Sequence, residues 1–220
     1  MKVIDSRESL ERAAVEYGIL PFFKNPIEGF SVEEMTLPGL LFGGSEGYDG
    51  CWEWKGPVIG ELTTAYGKFF RRKAGFVALE LLPHFLNYRR ATYPILPDST
   101  EETVYEIIKS REGASSPELR ETVFGSLPKS ERPRRHALEP ALQRLQMGGH
   151  ILIADFEYKY TRTGERYGWG TAVYSTPEIW LGTAHHSIDA TSSESFDLLV
   201  DNISKRLPGV ERRLIAELLR

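Results

Sequence analysis

Three stretches of the sequence carry residue types at spacings that could do chemistry. In Trp52-Glu53-Trp54 a carboxylate lies between two indoles, and aromatic walls raise a glutamic acid toward general acid–base use. Glu53 is on that ground a candidate catalytic residue, although a partly buried tryptophan pair is the commoner reason for such a triplet. In Tyr66-Gly67-Lys68-Phe69-Phe70-Arg71-Arg72-Lys73-Ala74-Gly75-Phe76 basic and aromatic residues alternate. Ring faces can stack on bases while Lys68, Arg71, Arg72 and Lys73 hold a sugar–phosphate backbone, or the segment can wedge into a duplex beside an extruded base. Taken alone, the stretch reads better as a β-hairpin with its Phe side chains in the core and its cations in water. Third, Arg132, Arg134 and Arg135 lead into a helix bearing Gln143 and Arg144, and Lys159, Arg162 and Arg166 follow on a hairpin. Arginine binds guanine or clamps phosphate, and glutamine reads adenine.

Other chemistries lack their residues. His185 and His186 are adjacent, point apart on a strand and make poor metal ligands. The one cysteine, Cys51, has no nearby base and cannot build a disulfide framework or a cysteine-based zinc site. No His-Glu-x-x-His, Walker loop, dinucleotide-binding glycine motif or nucleophile elbow occurs. The 220 residues are 41% hydrophobic and 26% charged, an ordinary globular balance. A formal charge of −4 conceals a gradient. Residues 65–90 hold six cations against Glu80 alone, residues 129–144 five against Glu131 and Glu139, and residues 1–64 five against eleven acids. Such asymmetry points to a polyanionic partner, with solvated basic faces as the plain alternative. No window approaches the roughly 18 apolar residues of a membrane span, and the charged start Met1–Glu8 offers no secretory apolar region. A cytoplasmic, reduced protein with no membrane partner is expected.

The elements that must position these residues follow from caps, breakers and periodicity. Asp5 and Ser6 cap a helix that Gly18 stops, and Ser31-x-x-Glu34 fits a capping box over little more than one turn. Residues 43–50 read as a flexible loop, 52–76 as short strands and turns, and 78–85 as a short apolar helix. Two prolines make 91–98 a linker and mark a boundary. Beyond it, Ser99 caps a helix ending at Gly113, and Ser115-Ser116-Pro117-Glu118 starts a second that ends near Phe124-Gly125. A basic loop then leads to a third helix with Leu138, Leu142 and Leu145 on one face. Residues 151–160 and 167–174 read as a hairpin about Thr163-Gly164. Three short helices and a hairpin are the order of a winged helix-turn-helix, with the third helix in a groove and the hairpin as wing. Two amphipathic helices, 196–206 and 208–219, close the chain and are expected to pack back onto the body. The fold class is thus α+β: residues 1–98 an aromatic and basic N-terminal region, with room for a second winged-helix-like module; 99–185 the winged helix-turn-helix domain; 186–220 a C-terminal helical extension.

Trp52-Glu53-Trp54, Leu81-Leu82-Pro83-His84-Phe85-Leu86 and Tyr88-Arg89-Arg90, followed by the winged helix, resemble the AlkZ/YcaQ-type alkylpurine DNA glycosylases. The string Leu20-Pro21-Phe22-Phe23, Trp52-Glu53-Trp54-Lys55, Tyr66-Gly67-Lys68-Phe69-Phe70, Lys73-Ala74-Gly75-Phe76 and Asn87-Tyr88-Arg89-Arg90 more closely resembles an uncharacterised bacterial group related to them, over residues 5–182. The resemblance implies winged-helix modules wrapped around DNA, no metal or nucleotide cofactor, and hydrolysis of an N-glycosidic bond to an alkylated purine. In that family a Gln-x-Gln pair in the N-terminal half positions the attacking water. Here the chain departs: its glutamines are Gln143 and Gln146, and Phe23-Lys24-Asn25 stands near where the pair belongs. Asn25 is the candidate for part of the pair's role, with Glu53 beside it on the short roster of catalytic residues.

The expected function is a DNA-binding protein related to these glycosylases, working in damage recognition or repair on double-stranded DNA, with glycosylase activity open. Lys68, Arg71, Arg72 and Lys73 would hold backbone; Arg132, Arg134, Arg135, Gln143 and Arg144 would contact DNA from the helix, and Lys159, Arg162 and Arg166 from the wing. A winged-helix transcription regulator and a protein-interaction module without nucleic acid are the alternatives.

Overall fold

The computed structural model describes residues 3–43, 49–125, 136–182 and 188–220. In the first half, α1 (Arg7–Tyr17) leads to β1 (Ile19–Pro21), α2 (Val32–Met35), α3 (Cys51–Gly60), β2 (Thr64–Phe70), β3 (Lys73–Ala78) and α4 (Leu82–Thr92). Ser6 opens α1 with a reciprocal box, its hydroxyl accepting from Ser9 N–H and the Ser9 hydroxyl from Ser6 N–H. Gly18 closes it at φ +73°, where a Cβ would lie 2.6 Å from Leu81 Cδ1. The three strands form an antiparallel sheet in the order β1-β3-β2.

Two expectations for this half need correction. The stretch from Trp52 begins with a helix, α3, and only then gives strands. Gly56 and Pro57 argue locally against a helix, but tertiary packing overrides them. The first two α3 amides are taken by the Leu40 and Leu41 carbonyls at 2.8 Å each, and Gly56 lies where a Cβ would just touch Phe156 and Tyr158 of the later hairpin. The apolar helix expected at 78–85 starts instead at Leu82, with Pro83 in its first turn and Arg89 and Arg90 in its last. It runs through Thr92, so the linker is shorter than expected. Proline suits a first helical turn, and cations suit the carbonyl end.

The second half contains α5 (Thr100–Ser110), β4 (Ala114–Ser115), α6 (Ser116–Phe124), α7 (Leu138–Met147), β5 (Leu152–Tyr160), β6 (Arg166–Ser175) and α8 (Pro177–Leu181). The three helices and the hairpin stand where the sequence placed them. The two-residue β4, which periodicity cannot reveal, adds to the hairpin in the antiparallel order β4-β6-β5, with Ala114 opposite Tyr174. The chain ends in α9 (Ser192–Arg206) and α10 (Arg212–Leu219). As expected, these pack back: the Phe196 ring lies 4.8 Å from that of Tyr88, and Asn87 on α4 donates to the Ala190 carbonyl and the Ser195 hydroxyl.

Buried side chains from Ile4 to Leu219 form one cluster. Near its centre is Arg89, fully buried. Its guanidinium donates to the carbonyls of Phe69 on β2 (2.7 Å), Met147 at the end of α7 (2.5 Å) and Leu219 at the end of α10 (2.6 Å), and to the Arg220 main-chain oxygen (3.0 Å). The Tyr93 ring stacks beneath it at 4.8 Å. Helix carbonyl ends carry partial negative charge, so two of them hold this cation where a carboxylate would otherwise be needed. Burial pulls its pKa down to about 10, and the guanidinium keeps its charge at neutral pH.

Candidate nucleic-acid interface

The β2–β3 hairpin settles the basic–aromatic stretch in favour of a structural role for its rings. Tyr66, Phe69, Phe70 and Phe76 are buried. The hairpin turns on two residues, since Phe70 pairs with Lys73. Arg71 and Arg72 therefore both adopt left-handed backbone, φ +50° and +66°, in a turn that ordinarily takes Asn-Gly. Both arginines and Lys73 are exposed and Lys68 is half-buried. Arg71 is paired with Glu217 at 2.6 Å, Lys73 donates to the Lys24 carbonyl, and Arg72 has no ion-pair partner among the described residues.

Beside this turn lies a cleft of about 460 Å³ lined by Lys24, Asn25, Phe70, Arg71, Lys73 and Leu218 among others. The structure thus brings one candidate catalytic residue, Asn25, to candidate backbone-binding residues. The Asn25 amide is nonetheless committed to its own loop: its Nδ2 donates to the Phe30 carbonyl and its Oδ1 accepts from Ile27 N–H. That pattern closes a turn and leaves little capacity to orient water.

On α7, the buried face carries Leu138, Ala141, Leu142 and Leu145, and the exposed side carries Glu139 and Arg144, with Gln143 half-buried. Arg144 is paired with Glu101 at 3.0 Å and Glu139 with Arg120 at 3.0 Å. Arg132, Arg134 and Arg135 lie outside the described residues, as do His185 and His186.

The β5–β6 hairpin bends onto α3. Glu53, with a side chain 12% exposed, binds the Arg166 guanidinium at 3.2 Å and accepts from the Tyr158 hydroxyl at 3.1 Å. Arg166 also reaches Asp49 at 3.2 Å and covers the Tyr158 ring at 4.5 Å. Burial first, and then the Glu53 carboxylate, push the Tyr158 phenol up from its ordinary value. Two residues on, Lys55 is 3% exposed, its ammonium 4.0 Å from the Trp52 ring and 4.4 Å from that of Phe156, donating to the Trp52 carbonyl. Burial draws the Lys55 pKa down to about 8. Trp52 and Trp54 are both half-buried. Lys159 and Arg162, by contrast, are exposed and enter no ion pair among the described residues.

Of the basic residues expected to hold DNA, Arg71, Arg144 and Arg166 are therefore tied to the protein's own carboxylates. Arg71 and Arg144 are about half exposed, and such surface pairs are worth only ~0–1 kcal/mol, so a phosphate could displace the acid. Arg166 is held more firmly, by two carboxylates and a ring.

Residues 4–220 match a protein family described as AlkZ related. The chain belongs to the AlkZ-related family. A solved structure, that of Streptomyces sahachiroi DNA glycosylase AlkZ, aligns with 91% of this chain and 51% of its own, at 10% identity and a TM-score of 0.48. This AlkZ-related chain thus spans about half the length of that glycosylase. Comparison with curated proteins returns no match.

In this AlkZ-related protein the residues that sequence reasoning passed over are Lys55, Tyr158, Trp169 and Arg89 as a structural cation. A lysine two residues from an aromatic-flanked glutamate is a weak signal for the first. Nothing local marks the others, whose partners lie on remote elements. No helix among the described residues is long and apolar enough to cross a membrane.

Proposed function

We propose that this AlkZ-related chain binds double-stranded DNA and acts in the recognition or repair of damaged bases. Membership of the family across residues 4–220 carries the reading. Two features support it. The order α5, β4, α6, α7, β5, β6, with β4 on the outer edge of β6, is that of a winged helix, a fold that commonly lays its third helix and its wing on a duplex. Arg72, Lys159 and Arg162 are exposed cations without carboxylate partners among the described residues, so they can neutralise phosphates without first giving up a protein acid.

The same reading makes the chain a binder first. In the glycosylases that the sequence resembles, catalysis is expected to rest on a glutamine pair, while here Gln146 is buried in a structural bond and the Asn25 amide closes its own turn. Glu53 is the better candidate for chemistry, as a carboxylate beside half-buried indoles, but it becomes available only if Arg166 leaves it.

Fluorescence anisotropy with a labelled duplex over a salt series tests the proposal. Log affinity should fall linearly with log salt, and each of Arg72→Gln, Lys159→Gln and Arg162→Gln should flatten the slope by about one. Absence of binding at low salt overturns it. A duplex bearing 7-methylguanine, assayed for preference and for base release, separates damage binding from glycosylase action; equal affinity for intact duplex would move the reading to gene regulation.

A further inference from the structure

The rings that the basic–aromatic stretch was expected to offer to bases are in the core, yet the surface carries other large rings. Trp169 on β6 is 67% exposed and Phe42, ahead of α3, is 56% exposed. Each lies against the same half-buried indole: Trp169 at 5.9 Å from Trp52 in an edge-on contact, Phe42 at 6.0 Å in a tilted one. Phe42 and Trp169 make no ring contact with each other. Trp52 itself is backed by Phe22 at 5.7 Å and Phe23 at 6.1 Å and pinned by the Lys55 ammonium over its face. Two exposed rings thus flank a third that the core holds rigid.

Leaving such rings in water forgoes the gain of burying them, and clustered exposed apolar surface marks a binding face. Polar groups around the cluster say what it fits. The far end of the hairpin carries Lys159, opposite Tyr167 in register, and Arg162, both exposed and without ion-pair partners among the described residues, while Asp155, Glu157 and Glu165 are its exposed acids. Arg166, Glu53 and the Tyr158 hydroxyl lie on the side facing α3. Held π faces on the same hairpin as unpaired cations suit a nucleic-acid strand with an unstacked base: the ring takes the base, the cations its phosphates.

We infer that Phe42 and Trp169, seated on Trp52, form a stacking platform for one unpaired nucleobase of a DNA strand. This rests on the DNA-binding reading and adds to it where an unstacked base goes. Preorganisation follows from the order of supports: α3 fixes Trp52, and the Glu53–Arg166 pair fixes the hairpin that presents Trp169.

The test compares a perfect duplex with the same duplex carrying a one-nucleotide 2-aminopurine bulge, using the full chain. Wild type should bind the bulge more tightly than the perfect duplex and quench its fluorescence. Trp169→Ala and Phe42→Ala should each weaken bulge binding about tenfold, within the range for loss of one base–aromatic stack. Both should leave perfect-duplex binding within twofold, and Trp169→Phe should recover most of the loss. Both side chains are surface rings, and unchanged thermal unfolding will confirm that the variants fold. Bulge affinity unaltered in Trp169→Ala and Phe42→Ala, with duplex binding intact, overturns the platform and leaves the DNA reading standing. Failure to bind either probe at low salt overturns both. Self-association that Trp169→Ala abolishes, without effect on the bulge, also overturns it and assigns the face to a second copy of the chain.

Discussion

Gln146 on α7 accepts the backbone N–H of Lys68 on β2 at 3.0 Å while its own amide nitrogen donates to the Leu142 carbonyl. One fully buried side chain thereby ties the third helix of the C-terminal half to the sheet of the N-terminal half. Replacing it with leucine keeps the volume and strands the Lys68 donor. Gln146→Leu should lower stability by about 1–2 kcal/mol, because a shielded donor loses its acceptor. The urea midpoint measures this, with Gln143→Leu on the same helix as the near-neutral control. Equal midpoints for the two would show that the junction contributes nothing.

The Arg71-Arg72 turn is held in backbone that L-residues adopt at a cost of roughly 1–2 kcal/mol each. The double substitution Arg71→Asn, Arg72→Gly supplies the pair such a turn prefers. It should raise stability by about 1–2 kcal/mol, since the lost Arg71–Glu217 pair is exposed and worth little. If the turn is kept for phosphate, duplex affinity should fall as stability rises. A variant neither more stable nor weaker in binding would remove the reason offered for two arginines there.

Lys55 gives a pH signature. Burial holds its pKa at about 8 against 10.5 for an ordinary lysine, Glu53 opposing the shift and Arg166 adding to it. The folded protein then releases this proton before the unfolded chain does. Between pH 8 and 10.5 the unfolded state binds more protons, so this group makes stability rise with pH, and below the window its burial is a constant penalty. Lys55→Met should exceed wild type most at pH 7, with the gap closing toward pH 10. Urea midpoints at several pH values measure it. A gap that widens with pH would reverse the sign and refute the account.

The Glu53–Tyr158 contact can be read from the phenol. Glu53→Gln removes a negative charge 3.1 Å from the Tyr158 hydroxyl and leaves Arg166 beside it, so the phenol should titrate at lower pH than in wild type. Carbon-13 labelling at tyrosine Cζ follows this group among the ten tyrosines. An unshifted titration would mean that the hairpin does not rest on α3 in solution.

Elements announced by neighbours in sequence were legible: the Ser6, Ser31 and Ser99 caps, the helix start within Ser115-Ser116-Pro117-Glu118, the Gly18 stop, three helices then a hairpin, and two amphipathic closing helices. For the site, the sequence singled out Glu53, Asn25 and the cations, and it anticipated buried phenylalanines on the β2–β3 hairpin. It missed α3 as a helix, β4 as a strand, and which arginines are free. Caps, breakers and periodicity act within a few residues, so a single sequence determines them. Tertiary structure alone decided the rest, because the deciding partners are distant along the chain. Gln146 meets Lys68 across 78 residues, Tyr158 meets Glu53 across 105, and Arg89 meets Leu219 across 130. A cation's availability depends on whether the fold brings a carboxylate to it, and a ring's role on whether the fold covers its face.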